Sequence, residues 1–562
     1  MQSLQELSES AEKAYLEHHW AEAEELYRRL QDIQPENGKF SAILGEIRCC
    51  QNEPEEGILF FLNAVDLLKN HKSEEITYLG KVYFLLALAC QNLNQPEETL
   101  KAFRLATKYC PDWKEPWLKF GQFLFDQGLS HQAAQCFRQV VALDPNDVSA
   151  WLTIGYIEQL RKNHSAAVEA MQAARKLDPD SEIADFYLAE SLRKQGNDLD
   201  AVPYYRSLIT KNPLHYQGLL GYGESLLATG NLEEGWLGYE ARQFCTSGTW
   251  ELHTLPQWNG ETDLHGTILA FGEDGVASEV LFSSCLPDLT DQVGHCYVEC
   301  NRALHTLFKR SFPGISLLEP AKTEIRADEL PGLMMDYQVP FGSLPRYFRT
   351  RMTDFPRQRG HLISDPVKVR AWQKRLGEKG TPKKIGILWE GTWTTEPELQ
   401  RQIPFEELSR IIRSPFAKEV CWVSLQHGNH RKEWNRFCAG APVAIEQFPE
   451  IFTQDFDDLA SFLVALDMVI APSGFQAHFA AALGVSTWVV LPKQCDWRWH
   501  LSQNYSPWYP SVKLFQQKAD EPYSEMIGRL LTVLEEEFRE RSDMIVPFPN
   551  SATSPTRKSR AA

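Results

Sequence analysis

The chain has 562 residues, enough for two or three domains with full-sized cores, and its 43% hydrophobic and 23% charged residues are ordinary for a soluble globular protein. A formal net charge of −18 argues against a nucleic-acid partner, which would need a basic stripe to neutralise phosphates. No apolar run reaches the roughly 18–20 residues that span a bilayer, and the twelve cysteines form neither a disulfide framework nor paired CxxC ligands, so no membrane insertion, no metal site and a reducing, cytoplasmic compartment are expected.

The N-terminus, MQSLQELSESAEKAYLEHHW, reads as an acidic amphipathic helix and lacks the basic start and apolar stretch of a signal peptide. Beyond it Pro111, Pro145, Pro179 and Pro213 recur every 34 residues. Other slots keep the same register: Trp117 and Trp151; Gly121, Gly155 and Ala189; Ala133, Ala167 and Ala201; Phe137, Met171 and Tyr205. A fixed period of this length marks a solenoid of helical hairpins. Small residues let two helices approach, the large one fills the groove beside them, and proline stops the second helix. The pattern resembles the tetratricopeptide repeat. It continues upstream less faithfully, through Ala11, Ala23, Tyr27 and Pro35, then Gly45, Phe61 and Ala64, and, after a spacer at 70–75, Ala87, Phe103 and Ala106. A last hairpin carries Gly223, Gly235 and Tyr239, so about seven hairpins occupy residues 1–242 as a superhelix.

Residues 243–265, with Gly248, Pro256 and Gly260, read as a connector. Short apolar runs then alternate with helical patterns. GTILAFG (266–272), HCYVEC (295–300) and ISLLEP (315–320) are predicted strands, and VASEVLFSSCLPDL and RALHTLFKRSF predicted helices. Cys296 and Cys300 alternate as strand packing residues. A second series has strands at KKIGILWEG (383–391), VCWVSLQHG (420–428), DMVIAPS (467–473) and STWVVLP (486–492), with helices PFEELSRIIRS, DDLASFLVAL and FQAHFAAALG between them. Such alternation indicates βαβ units and parallel sheets covered by helices. The expected fold is therefore an α superhelix followed by α/β, with Rossmann-like halves at 266–370 and 371–545 and a disordered tail at 546–562. Ligands in that class bind where strand C-termini meet helix N-termini.

The strings FGEDGVASEVLFSSCLPDL, ECNRALHTLFKRSFPG and DYQVPFGSLPRYFR, then SDPVKVRAWQKRL, RQIPFEEL, AAALGVSTWVVLP, DWRW and SPWYPSVKLF resemble, in that order, bacterial tetratricopeptide proteins with a heptosyltransferase-like, GT-B glycosyltransferase module. The resemblance covers roughly residues 250–540. It implies inverting, metal-independent transfer of a sugar from a nucleotide donor, with no cofactor besides that donor. Such chemistry needs a base for the acceptor hydroxyl and dipolar or positive groups for the leaving diphosphate.

In the family the loop after the first strand carries an Asp as the natural base. Here Ser278 occupies that position, Ala277 replaces a glycine, and Glu279 or Glu273 is left to substitute. Glu279 has an alternative reading as a first-turn carboxylate complementing the helix dipole. Gly391 and Thr392 of WEGTW could offer amides and a hydroxyl to phosphate, whereas Glu390 brings a negative charge where relatives tolerate a positive one. Arg401 keeps the family's arginine and suits bidentate phosphate pairing, or else forms a surface ion pair. Ser473 and Gly474 end a strand before a helix whose His478 matches the family's histidine; a structural histidine is the alternative. Asp496 and Trp497 are candidates for contact with sugar or base, tryptophans in such places being as often core.

The resulting expectation is a cytoplasmic glycosyltransferase whose repeats recruit a protein or peptide acceptor, in a layout similar to eukaryotic protein glucosaminyl transferases. The alternative is a catalytically degenerate GT-B scaffold, suggested by the departures at Ser278, Glu390 and Ser473.

Overall fold

The computed structural model describes residues 3–69, 74–245, 255–261, 264–319, 335–377, 382–390, 402–426, 443–452, 455–499, 504–518 and 521–544. The chain packs as two compact units, Met1–Ser191 and Leu192–Ala562.

The first unit is built from helical hairpins: α1 (Leu4–Leu16) with α2 (Trp20–Ile33), α3 (Gly38–Cys50) with α4 (Pro54–Leu68), α5 (Glu74–Asn92) with α6 (Pro96–Tyr109), α7 (Lys114–Asp126) with α8 (Ser130–Leu143), and α9 (Val148–Leu160) with α10 (His164–Leu177). Helix α11 (Glu182–Lys194) carries the division between the units. The ladder prolines act as the sequence requires: Pro111, Pro145 and Pro179 each lie two residues beyond the last helical residue. The periodic tryptophans then fasten the turn. Trp117 Nε1 donates to the carbonyl of Pro111 at 2.8 Å, and Trp151 Nε1 to that of Pro145 at 3.0 Å. The small slots are steric necessities, since a Cβ on Gly155 would lie 2.5 Å from Met171 Cε. Ala167, Met171 and Ala174 are wholly buried behind that contact.

The second unit begins with α12 (Asp198–Lys211), α13 (Tyr216–Thr229) and α14 (Leu232–Tyr239), closed by a 3-10 turn at Glu240–Phe244. Gly223 presses against the backbone of Tyr239 so closely that no side chain fits there. Two parallel sheets follow. Strands β1 (Leu264–Phe271), β2 (Val293–Glu299), β3 (Ile315–Leu318) and β4 (Tyr337–Pro340) lie in the order β3-β2-β1-β4. Strands β5 (Lys383–Ile387), β6 (Val420–Ser424), β7 (Ile445–Gln447), β8 (Met468–Pro472), β9 (Thr487–Leu491) and β10 (Val512–Gln516) lie in the order β10-β9-β8-β5-β6-β7. Counted from β5, the second order is 3-2-1-4-5-6, the doubly wound Rossmann arrangement, and the first sheet has the order of its first four strands, 3-2-1-4. All pairings between these strands are parallel.

The alternating runs thus form the expected sheets. Strands β4, β7 and β10 join them from segments that the apolar pattern does not single out. The segment after β1, expected as one helix, is broken into Val276–Phe282, a 3-10 turn at Ser283–Cys285 and Leu286–Thr290. Pro287 accounts for the break, since it cannot donate to the preceding turn.

The helical repeat pattern ends near residue 242, but packing divides the chain earlier, after Ser191. Buried residues of the last hairpins (Leu227, Trp236 and Tyr239) share one core with Ile268 and Val298 of the first sheet region and Phe475, Trp499 and Trp508 of the second. Trp236 packs edge-on against Trp497 and Trp508, and its Nε1 donates to the carbonyl of Arg349 at 2.9 Å. The tail at 546–562, and most of 243–254 within the connector, lie outside the described residues.

Candidate functional site

A doubly wound sheet has one edge where neighbouring strands depart in opposite directions, and the crevice there collects loops from two strand C-termini. In the first sheet this point lies between β1 and β4, and in the second between β5 and β8.

The turn after β1 is tight. Asp274 has φ +56° and Gly275 φ +82°, so two successive residues have positive φ before helix Val276–Phe282 starts. Three carboxylates come from this turn and helix, and each has a different fate. Glu273 is buried. It accepts from Arg242 Nη2 at 2.8 Å and from the amide of Gly342 at 2.6 Å, just beyond β4. Burial raises its pKa, against the opposing pull of Arg242. Arg242 comes from the turn after α14 and also donates to Ser343 Oγ at 2.8 Å and Glu240 Oε1 at 2.9 Å. Glu273, expected as a possible base, is therefore an ion-pair partner that fills the first crevice.

Glu279 is also buried, folded back under Gly272, where its Oε2 accepts from the amide of Asn301 at 2.9 Å. Burial pushes its pKa up to about 7, the Asn301 amide opposing and Glu299 adding to the rise. Asp274 is the exposed member, with 38% of its side chain accessible. Ser278 Oγ donates to Asp274 Oδ2 at 3.1 Å, and Arg498 Nη2 donates to the same oxygen at 2.8 Å.

Arg498 belongs to the turn after β9. Its Nη1 holds both oxygens of Asp496 at 3.1 Å, its Nη2 reaches Tyr239 Oη at 3.2 Å, and its guanidinium lies 4.7 Å from the Trp497 ring centre. One guanidinium so ties together the C-terminal edges of both sheets and the last repeat helix. Asp496 and Trp497, expected to face a sugar or base, are committed to this joint: Asp496 to Arg498, and Trp497 edge-on to Trp236 and Tyr239.

At the second crevice Ser473 and Gly474 follow β8 and are buried. Trp499 Nε1 donates to Ser473 Oγ at 2.9 Å. His478, one turn into helix Phe475–Ala482, stacks on Trp499 at 4.1 Å, and its Nδ1 lies 3.2 Å from Tyr509 Oη. The histidine is 3% exposed, so it supports Trp499 from within the core. Across the crevice, Gln426 Oε1 accepts from the amides of Trp389 and Glu390 at 3.3 and 3.1 Å, and Gln402 Nε2 donates to Glu390 Oε1 at 2.8 Å. Gly391, Thr392 and Arg401 lie outside the described residues. Among the described residues no group of three or more His, Cys, Asp or Glu side chains could hold a metal ion, and no helix is long and apolar enough to cross a membrane.

Sequence reasoning passes over Asp274, Arg498, Arg242 and Tyr239 as site residues. The strings FGEDG and DWRW contain the first two. Arg242 and Tyr239 stand at the end of the repeats, where a periodic pattern carries no sign of a partner outside it.

Tetratricopeptide repeat models match residues 80–112, 118–182 and 183–239. The chain is 24% identical over 512 residues to Protein FlbA of Caulobacter vibrioides, covering 81% of this chain and 84% of that protein. It is 25% identical over 210 residues to Protein O-mannosyl-transferase TMTC3 of Homo sapiens, spanning 37% of this chain but only 22% of that protein. Solved structures similar to part of the chain include YrrB, a TPR protein with an unusual peptide-binding site (19% identity, 31% of this chain, 86% of YrrB, TM-score 0.26), and MamA (20% identity, 28% of this chain, 91% of MamA, TM-score 0.26). Residues 80–239 thus carry tetratricopeptide repeats, and parallel sheets follow them.

Proposed function

We propose that the α/β part of this protein is a GT-B module that transfers a sugar from a nucleotide-sugar donor, and that the repeats recruit a protein or peptide acceptor. The observation that carries this reading is the order of the second sheet, which brings the chain after β5 and the Ser473 and Gly474 turn after β8 to one switch point. Helix Phe475–Ala482 starts directly after that turn, and the positive end of a helix dipole favours an anionic diphosphate. Gly391, Thr392 and Arg401 follow β5 in sequence and would complete the phosphate contacts. The turn and helix after β1 would supply the carboxylate that takes the acceptor's proton. A relative named as a protein O-mannosyl-transferase is in keeping with the reading. Stacked helical hairpins form a long groove suited to an extended or helical peptide.

A second reading, a catalytically degenerate scaffold, is favoured by the pairing of Glu273 with Arg242 and by Ser278 standing where the resembled family carries its Asp. Thermal denaturation of the full chain with UDP, GDP, ADP, dTDP and CMP, free and sugar-linked, tests the donor half of the first reading. A ligand present at a hundred times its Kd stabilises the native state by about 2.7 kcal/mol, and one nucleotide class is expected to do so. Arg401→Ala should then weaken that nucleotide by about ten- to a hundredfold, the loss of a charge-assisted contact. Absence of any shift across the panel would leave the scaffold reading standing.

A further inference from the structure

We infer that Asp274 is the group that accepts the proton in the transfer step, with Ser278 and Arg498 as the residues that position it; the inference rests on the transferase reading above. Access decides among the candidates. A base must come within hydrogen-bond reach of the hydroxyl it activates. Of the three carboxylates after β1, Glu273 is buried against Arg242 and the Gly342 amide, and Glu279 is buried against the Asn301 amide. Asp274 stands at the C-terminal edge of β1 with 38% of its side chain exposed.

Its backbone conformation agrees with that choice. Asp274, at φ +56°, is in the left-handed region, which aspartate and asparagine enter more readily than other side chains. At this turn the Asp274 carboxylate stays partly exposed, while that of its neighbour Glu273 is buried against Arg242 and the Gly342 amide. Ser278 Oγ and Arg498 Nη2 then fix the orientation by donating to one oxygen, Oδ2. Arg498 arrives from the turn after β9, whose next residue, Trp499, is hydrogen-bonded to Ser473. The carboxylate of the first sheet and the helix end of the second, where a diphosphate is proposed to bind, are thereby joined through a single guanidinium and one neighbouring indole.

In the step itself the acceptor oxygen bonds to the anomeric carbon while the bond from that carbon to the phosphate oxygen breaks. The electron pair leaves with the nucleoside diphosphate, and the hydroxyl proton passes to Asp274. Arg498, relieved of its partner's charge when Asp274 is protonated, keeps its Nη1 on both oxygens of Asp496.

The test is release of free nucleotide from the same panel of nucleotide sugars, with water as acceptor, alongside equilibrium binding of the matching free nucleotide. Asp274→Asn is the informative variant, because asparagine tolerates the left-handed conformation and keeps the shape but cannot take the proton. Release should fall about 10²–10⁴-fold, with nucleotide affinity within about threefold of wild type. Arg498→Lys should lower release less than Asp274→Asn and shift its pH profile, which a merely structural role would not do. Release retained by Asp274→Asn, or lost in Glu279→Gln while Asp274→Asn stays active, would overturn the assignment. Wild-type protein that binds a nucleotide yet releases none from any sugar would remove the transferase reading itself, and the assignment with it. Should Asp274→Asn fold poorly, Ser278→Ala reads the same orientation, with an expected loss of severalfold at unchanged affinity.

Discussion

The two parallel sheets share their opening topology, yet the crevices at their switch points hold opposite chemistry. Between β1 and β4 lies a charged plug, Glu273 paired with Arg242 and capped by the Gly342 amide. Between β5 and β8 the described groups at Ser473 are a hydroxyl, an indole N–H and the start of helix Phe475–Ala482, and the carboxylate of Glu390, across the crevice, accepts from the Gln402 amide. A crevice whose charges are matched internally has little left to offer a charged ligand. One lined by hydroxyl and amide dipoles can still receive an anion. The same fold thus yields a structural joint in one half and a candidate donor pocket in the other, and the arginine that makes the difference comes from the turn closing the repeats.

The sharpest way to break this comparison is to remove that arginine. Arg242→Met leaves Glu273 buried without its counter-charge, and breaking a buried pair in this way costs about 3–5 kcal/mol. The double variant Arg242→Met with Glu273→Gln should recover most of the loss, because no uncompensated charge remains. Urea denaturation followed by tryptophan fluorescence measures both. A cost below about 1 kcal/mol for the single variant would mean that the first crevice is wet and the plug dispensable.

How much of this is legible in the sequence differs between the regions for a physical reason. The repeats announce themselves because each unit repeats the same packing problem, so Gly155 and Met171, or Trp151 and Pro145, recur at fixed spacing. The strands are legible where they are buried on both faces, as in β8 and β9. Strands β4 (YQVP) and β7 (IEQ) are only four and three residues long and lack the apolar run that marks the similarly short β3 (ISLL). The site is legible as a set of loops but not as a set of partners. Arg242 and Glu273 are 31 residues apart, and Arg498 and Asp274 are 224 apart, so neither pairing leaves a local trace. Trp497 reads like a ligand contact because an aromatic in a loop after a strand is equally suited to a sugar face or to another helix. Its neighbours Trp236 and Tyr239 decide for the helix.

A second test uses pH to sharpen the contrast within the segment after β1. Glu279 is held near a pKa of about 7, above the ordinary glutamate value, because burial disfavours its charge. The folded state therefore keeps a proton that the unfolded chain gives up. This group's contribution is full at pH below the unfolded value and is lost as pH rises through about 7. Glu279→Gln removes the titration but keeps an oxygen for the Asn301 amide. Relative to the variant, wild type should lose about 2–3 kcal/mol between about pH 4 and pH 8, since each tenfold gain in proton affinity on folding is worth roughly 1.4 kcal/mol. The buried His361, lowered to about 4 by burial, titrates with the opposite slope in both proteins and cancels in the difference. Parallel stability curves for wild type and variant would show that Glu279 is not held protonated by the fold.

The smallest effect tests the neutral half. Ser473 and Trp499 are both buried, and the indole N–H donates to the hydroxyl at 2.9 Å. Ser473→Ala leaves the buried Trp499 N–H without its acceptor, an unsatisfied donor worth about 1–3 kcal/mol. Trp499→Phe removes the donor instead and keeps an aromatic face for His478, which stacks on the indole at 4.1 Å. Each single variant carries its own cost from changed packing, so neither alone measures the bond. The double-mutant cycle does, and a coupling of about 1 kcal/mol is expected for contacting residues joined by one neutral hydrogen bond. A coupling indistinguishable from zero would mean that the serine is held by something other than the indole, and that the neutral rim is not the rigid counterpart of the charged plug. A coupling of the expected size, together with weakened nucleotide binding in Ser473→Ala, would tie the two crevices' difference to the donor: the one that receives the diphosphate is the one whose Ser473 side is neutral and fixed.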